Sequence, residues 1–171
     1  MSGTGLTDYF IDIYNLSNKV HEYDFEIGEA FFEEFENSPA EKGHLTCLVA
    51  LDKTERMITA EFRIKGEVEL VCDRSLELFG FPIDIIHKVF FKYSDMEEEL
   101  DENVYSIPTN KQRLEIGHLI FEFIALAIPM KRIHPDHMTG EDMEGLVYLS
   151  SEDVDEKETD PRWEILKNLK K

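Results

Sequence analysis

Basic residues are scarce in this chain: 18 Lys and Arg stand against 37 Asp and Glu, a formal charge of -19 over 171 residues. A field of that sign repels a phosphate backbone unless cations gather locally, so a sequence-reading nucleic-acid domain is disfavoured and DNA is not expected as a partner. The same field draws in basic proteins and keeps a domain soluble. Cysteine is scarcer still. Cys47 and Cys72 sit singly in alternating apolar stretches, with no Cys-x-x-Cys pair, which predicts reduced core thiols and no disulfide framework. Long apolar runs are missing too: the longest, residues 116–130, carries Glu122 and falls short of the roughly 20 residues that span a bilayer. No membrane partner is expected, and without a secretory-type opening the expected location is cytoplasmic. There is neither a P-loop nor a GxGxxG turn, and no cofactor is expected.

What is present is enough to fold. Hydrophobic residues make up 42% of the chain, twelve of them Phe, which argues for a sizeable apolar core. The length suits one domain with a tail. The expected organisation is a single α+β domain over residues 1–133, an acidic flexible tail over 134–159, and an amphipathic helix over 160–171 that docks on the domain or on a partner.

Period-two patterning dominates the first hundred residues. Alternation over residues 9–14 and 23–27 predicts two short strands, and Phe31, Phe32 and Phe35 at helical spacing predict a short helix ended near Asn37-Ser38-Pro39. Leu45, Cys47, Val49 and Leu51 line one face of a strand. Ile58, Ala60, Phe62, Ile64, Val68, Leu70 and Cys72 fall on even positions with Thr59, Glu61, Arg63, Lys65, Glu67 and Glu69 between them, the signature of a half-buried strand. Gly66, in the same register, predicts a bulge or sharp bend, so the run reads as two strands or one strongly curved one. Residues 76–81 and 83–93 read as further strands, with Pro82 an edge, bulge or break. Residues 95–102 read as a solvated acidic loop or half-formed helix, and 104–107 as a brief extended segment before Pro108.

Ile116, Leu119, Ile120, Phe123, Ile124 and Ala127 follow helical spacing, while Phe121, Ala125, Leu126 and Ile128 make the other side apolar as well. Such a helix is buried on most sides or meets a partner. The fold expected is therefore α+β: a curved, mainly antiparallel sheet, closed in the extreme into a barrel, with this helix packed on it. From residue 134 onward periodicity fades and acidic residues gather. Then Asp160 offers an N-cap and Pro161 a first helical position, with Trp163, Leu166 and Leu169 along one face and Lys167, Lys170 and Lys171 at the negative end.

Four constellations carry candidate chemistry. Cys72, His134 and His137 are a conceivable zinc set, since zinc accepts thiolate and imidazole, but no paired cysteine motif supports it and no metal is expected. Catalysis needs an acid and base held at a defined distance, or a thiolate with a local histidine; the pattern supplies neither, and no enzyme activity is expected. Arg74, between Asp73 and Ser75 in the turn after the long strand, either pairs locally with a carboxylate and strand-end carbonyls or grips an RNA phosphate or partner carboxylate. Trp163, with Arg162 and Leu166 beside it, either anchors the terminal helix to its own domain or docks it on a partner, where Trp and Arg often dominate binding.

Three stretches in their order resemble the YceD family, the large ribosomal RNA subunit accumulation proteins: Cys72, Arg74 and Leu76 after a strand; Ile116 running to Leu126, Ala127 and Pro129; and Asp160, Pro161, Arg162 and Leu166 near the end. Many family members carry a second cysteine where Ser75 stands here, so a shared metal site is in doubt. The resemblance implies a factor for large-subunit rRNA accumulation and ribosome assembly, with no enzyme activity implied, and the charge of -19 favours one that acts by binding a basic ribosomal protein or a large-subunit precursor particle. It leaves two alternatives: a direct rRNA-binding or processing factor using Arg63, Lys65, Arg74, Lys88 and Lys92, and a metal-dependent hydrolase. The expected binding residues are Cys72, Asp73, Arg74, Ser75, Arg162, Trp163 and Leu166.

Overall fold

A computed structural model describes residues 9–36, 38–40, 42–96, 98–101 and 103–138. The chain divides into two units, Met1–His134 and Pro135–Lys171. In the second, Pro135–His137 form a 3-10 turn in which Met138 N–H donates to Pro135 O at 3.3 Å. The expected terminal helix lies outside the described residues.

The first unit is built on a six-stranded sheet. The elements run in order β1 (Phe10–Asp12), β2 (Val20–Ile27), α1 (Glu29–Glu33), β3 (Lys42–Lys53), β4 (Met57–Val71), β5 (Leu78–Ser94), β6 (Glu98–Asp101), β7 (Val104–Pro108), β8 (Arg113–Glu115) and α2 (Gly117–Ala127). The sheet order is β2-β3-β4-β5-β7-β6, with β1 and β8 forming a separate two-stranded sheet. All neighbours in the large sheet are antiparallel except β5 and β7, which pair parallel. The architecture is α+β with a mixed sheet, and that sheet is open: β2 and β6 lie at its ends, so the barrel closure entertained from sequence does not occur.

Alternation decides which face is inside. Leu45, Cys47, Val49 and Leu51 of β3, Ile58, Ala60, Phe62, Ile64, Val68 and Leu70 of β4, and Phe79, Ile83, Val89 and Phe91 of β5 are all buried. Helix α2 covers this face. The Phe123 ring meets Phe62 edge-on at 5.4 Å and stacks on His87 at 4.4 Å. Phe31 and Phe32 of α1 are buried beside it, and Phe35 stacks flat on Phe121 at 3.8 Å, joining the two helices. A buried ring of this size contributes roughly 1.5–3 kcal/mol. The far side of α2 is covered only in part: Phe121 is half-buried under Phe35, whereas Leu126 is 74% exposed.

Two long strands replace the four segments that the sequence permits. Gly66 sits opposite Leu45 in unbroken register at φ 152°, and a Cβ there would collide with His44 O and come within 2.6 Å of Leu45 Cα. The missing side chain admits the neighbouring backbone without any bulge. Pro82 lies inside β5 opposite Glu67. Since Phe90 N–H donates to Asn103 O, toward β7, even-numbered β5 amides point away from β4. The donor that Pro82 lacks would have faced an edge with no strand beside it among the described residues, as β7 joins only at Phe90. The acidic segment expected as loop contains a strand too: β6 pairs with β7, and the Ser106 hydroxyl donates to Met96 O at 2.7 Å while accepting from Glu98 N–H at 3.1 Å.

Candidate functional site

Beyond the last residue of β4 the chain turns sharply. Cys72 N–H donates to Glu77 O and Leu76 N–H donates to Cys72 O, each at 2.9 Å, closing a loop around Asp73, Arg74 and Ser75. Closure drives Leu76 to φ 61°, a region that side chains other than Gly, Asn and Asp seldom occupy. Leu76 is 77% exposed, so burial does not offset the strain.

The loop wraps a thiol. Cys72 has no exposed surface, and His134 N–H donates to its Sγ at 3.3 Å. The thiol is pulled down from its usual 9.0 to about 6, chiefly by the Ser75 hydroxyl, then by the amides of His134, Ser75 and Arg74, which outweigh desolvation. Ser75 Oγ is buried within the turn, and its hydroxyl is the largest influence favouring the thiolate. Cys47, inside the sheet with no such donors, is pushed by burial up to about 12. Two thiols that look alike in sequence therefore differ in charge near neutrality, a difference made by the turn.

Asp73 fastens the turn to the segment after α2. Its carboxylate accepts from Arg132 N–H at 2.7 Å, its own N–H donates to Arg132 O at 2.7 Å, and the Arg132 guanidinium lies 3.8 Å from Oδ1 while donating to Pro39 O at 3.3 Å. Arg74 is exposed at the loop surface. Cys72, Asp73, Arg74 and Ser75 are thus brought together, whereas Arg162, Trp163 and Leu166 lie outside the described residues. His134 reaches the thiol through its backbone amide, its ring resting against Phe79 at 5.6 Å. Among the described residues no group of three or more His, Cys, Asp and Glu is arranged to hold a metal ion.

The candidate RNA-contacting cations do share a face. Arg63, Lys65, Lys88 and Lys92 are exposed on the outer side of the sheet, away from Arg74 at the strand end. Three of them are engaged. Glu61 accepts from Arg63 at 2.7 Å and lies 3.6 Å from Lys88, and Lys65 lies 3.2 Å from Asp84. The Arg63 hydrogen bond holds the Glu61 carboxyl below the usual carboxylate range. Sequence reasoning passed over Arg132, because a contact across 59 residues leaves no local pattern. It read residues 23–27 of β2 as a strand but gave no role to the strand's acidic outer face, which forms a groove wall with Leu48 and Arg63.

Fold and site define an open-sheet α+β protein with a donor-lined cysteine turn at one end of a long strand. Residues 60–170 match the family model described as large ribosomal RNA subunit accumulation protein YceD, and the chain belongs to that family. Neither a curated protein nor a solved structure matches it. No helix among the described residues is long and apolar enough to cross a membrane.

Proposed function

We propose that the protein supports accumulation of large-subunit ribosomal RNA by binding a basic ribosomal protein or a precursor particle, without catalysing a reaction. Family membership supports the role. The single observation that carries the mode of action is the state of the outer sheet face: with Arg63, Lys65 and Lys88 engaged by Glu61 and Asp84, the expected cationic face has little charge left for phosphates, and a net charge of -19 favours a basic partner.

The test is affinity capture of the full chain from native lysate at moderate salt, with and without ribonuclease. Recovery of basic large-subunit proteins that survives ribonuclease is the expected result. Recovery lost with the RNA transfers the reading to direct rRNA binding, and absence of ribosomal components from both eluates removes the proposal.

A further inference from the structure

The sheet has an open border at β2. Its only neighbour among the described residues is β3, with register Glu22↔Ala50, Asp24↔Leu48 and Glu26↔Thr46. Lys53 N–H donates to Lys19 O, which makes odd-numbered positions the hydrogen-bonded pairs with β3 and turns the amides and carbonyls of even-numbered residues outward. Glu26 O is already taken by the Tyr9 hydroxyl at 2.7 Å. The outward groups of Glu22 and Asp24 occupy the middle of the border.

Natural edges are usually blunted by charged side chains, lysine above all, by proline or by a bulge. β2 reads VHEYDFEI and pairs with β3 without a register shift; it has no proline, and its charged side chains are all acidic, which turns away a like-charged strand but not a cationic one. Its exposed side chains Glu22, Asp24 and Glu26 stand about 6.8 Å apart, the i to i+2 repeat of a strand. None has an ion-pair partner among the described residues, although cations on β4 and β5 are paired. Beside Asp24, Leu48 is 51% exposed and offers an apolar foothold.

We propose that the open edge of β2 is a docking site for an extended, lysine- or arginine-rich segment of a protein partner, which adds to the sheet as a further strand and sets its cations against Glu22, Asp24 and Glu26. Main-chain bonds to an edge supply affinity in this mode, and alternate side chains supply selectivity. A second copy of β2 would bring like charges face to face, so the charge pattern selects a cationic strand. The inference rests on the reading of the protein as a binder of basic ribosomal proteins; β2 itself precedes the family-matched residues 60–170.

The probe is an octapeptide of alternating lysine and valine at about 150 mM salt, where the screening length is about 8 Å. It is compared with the same peptide N-methylated at alternate amides. Full-length wild type is set against an edge variant, Glu22→Lys with Asp24→Lys and Glu26→Lys, and a control of equal charge change, Glu33→Lys with Glu34→Lys and Glu55→Lys. The expected result is amide exchange at Glu22 and Asp24 slowed about tenfold, binding weakened about tenfold by the edge variant but less than about threefold by the control, and no binding of the methylated peptide. Should the edge variant not fold, exchange and methylation on the wild type still decide.

Equal weakening by both variants, or unchanged exchange at Glu22 and Asp24, overturns the proposal, the peptide then being held by net charge alone. Protection that grows with protein concentration in the absence of peptide assigns the edge to a second copy and overturns it too. Basic large-subunit proteins that bind the wild type and the edge variant equally sink the edge assignment while leaving the proposed function intact. Peptide protection at the edge without capture of any ribosomal protein does the reverse.

Discussion

Asp73 and Arg132 exchange backbone and side-chain hydrogen bonds, each residue both giving and receiving, and the two 2.7 Å contacts fix the turn after β4 against the segment after α2. His134 follows two residues later, so the clasp also sets the distance from its amide to Cys72 Sγ.

Removing the clasp by Asp73→Ala leaves the Arg132 amide without its carboxylate. The expected loss is about 1–3 kcal/mol of stability, the range for a charge-assisted hydrogen bond, read as a lower urea midpoint with an unchanged slope. The Cys72 thiol should also titrate higher as the His134 amide drifts. A thiol midpoint unmoved in a destabilised variant would separate the two roles.

Thiolate absorbance near 240 nm should rise in a step centred at about pH 6, from Cys72, a step that Cys47→Ala leaves in place because Cys47 ionises only at about 12. The sign of the linked stability follows. The folded state holds the acidic form below its ordinary 9.0, so it binds fewer protons than the unfolded chain between pH 6 and 9, and stability rises with pH through that window. The contribution is complete above about 9 and gone below about 6. Cys72→Ser should lose the slope, and parallel pH profiles for the two proteins would contradict the assignment.

His87, stacked on Phe123, is held by burial below its ordinary 6.5. The folded state resists the proton that the unfolded chain accepts, so the neutral ring's contribution is full above 6.5 and declines as the pH falls through the depressed value. Proton NMR of the imidazole should give a midpoint under 6.5. A midpoint at or above that value would mean the ring is solvated.

Gly66→Ala should cost about 3 kcal/mol or more, because a Cβ meets β3 backbone that has no room to retreat. Gly28→Ala, at φ -119° with no atom within 4 Å, should cost less than about 1 kcal/mol. Thermal unfolding of the pair measures the contrast.

Truncating Phe123 to Ala empties the junction between α2 and the sheet, against Phe62 and His87. About 3–5 kcal/mol of stability should be lost, with the His87 midpoint moving toward 6.5 as water reaches the ring. Chemical denaturation followed through the NMR signal of His87 reads both.

How much of this was legible beforehand depended on range. Period-two burial in β3 and β4 is a local property, so the core residues could be read from spacing, as could the apolar stripe of α2. Pro82 left edge, bulge and break open, and only the first fits β5, because the cost of a missing amide depends on which side of the strand is open and no local pattern records that. The strand β6 escaped notice because its acidic sequence has weak strand preference and is ordered by β7 and the Ser106 hydroxyl. The Cys72-to-Ser75 turn stood out in sequence, but its chemistry did not: the donors that lower the thiol include His134, brought there by the clasp through Arg132. The resemblance anticipated the family, and the family-matched stretch leaves β2 outside.

The placement of Pro82 bears on how copies of this protein meet one another. Between its start and Phe90, β5 also has a flank with no strand beside it among the described residues, yet a proline interrupts the amide ladder there, and an identical strand laid along it would break register at that point. Fibril-like stacking through this flank is blocked by the chain itself. This flank is closed to an added strand by a ring in the backbone, whereas the β2 border turns its own copies away by charge and stays open to a cationic strand.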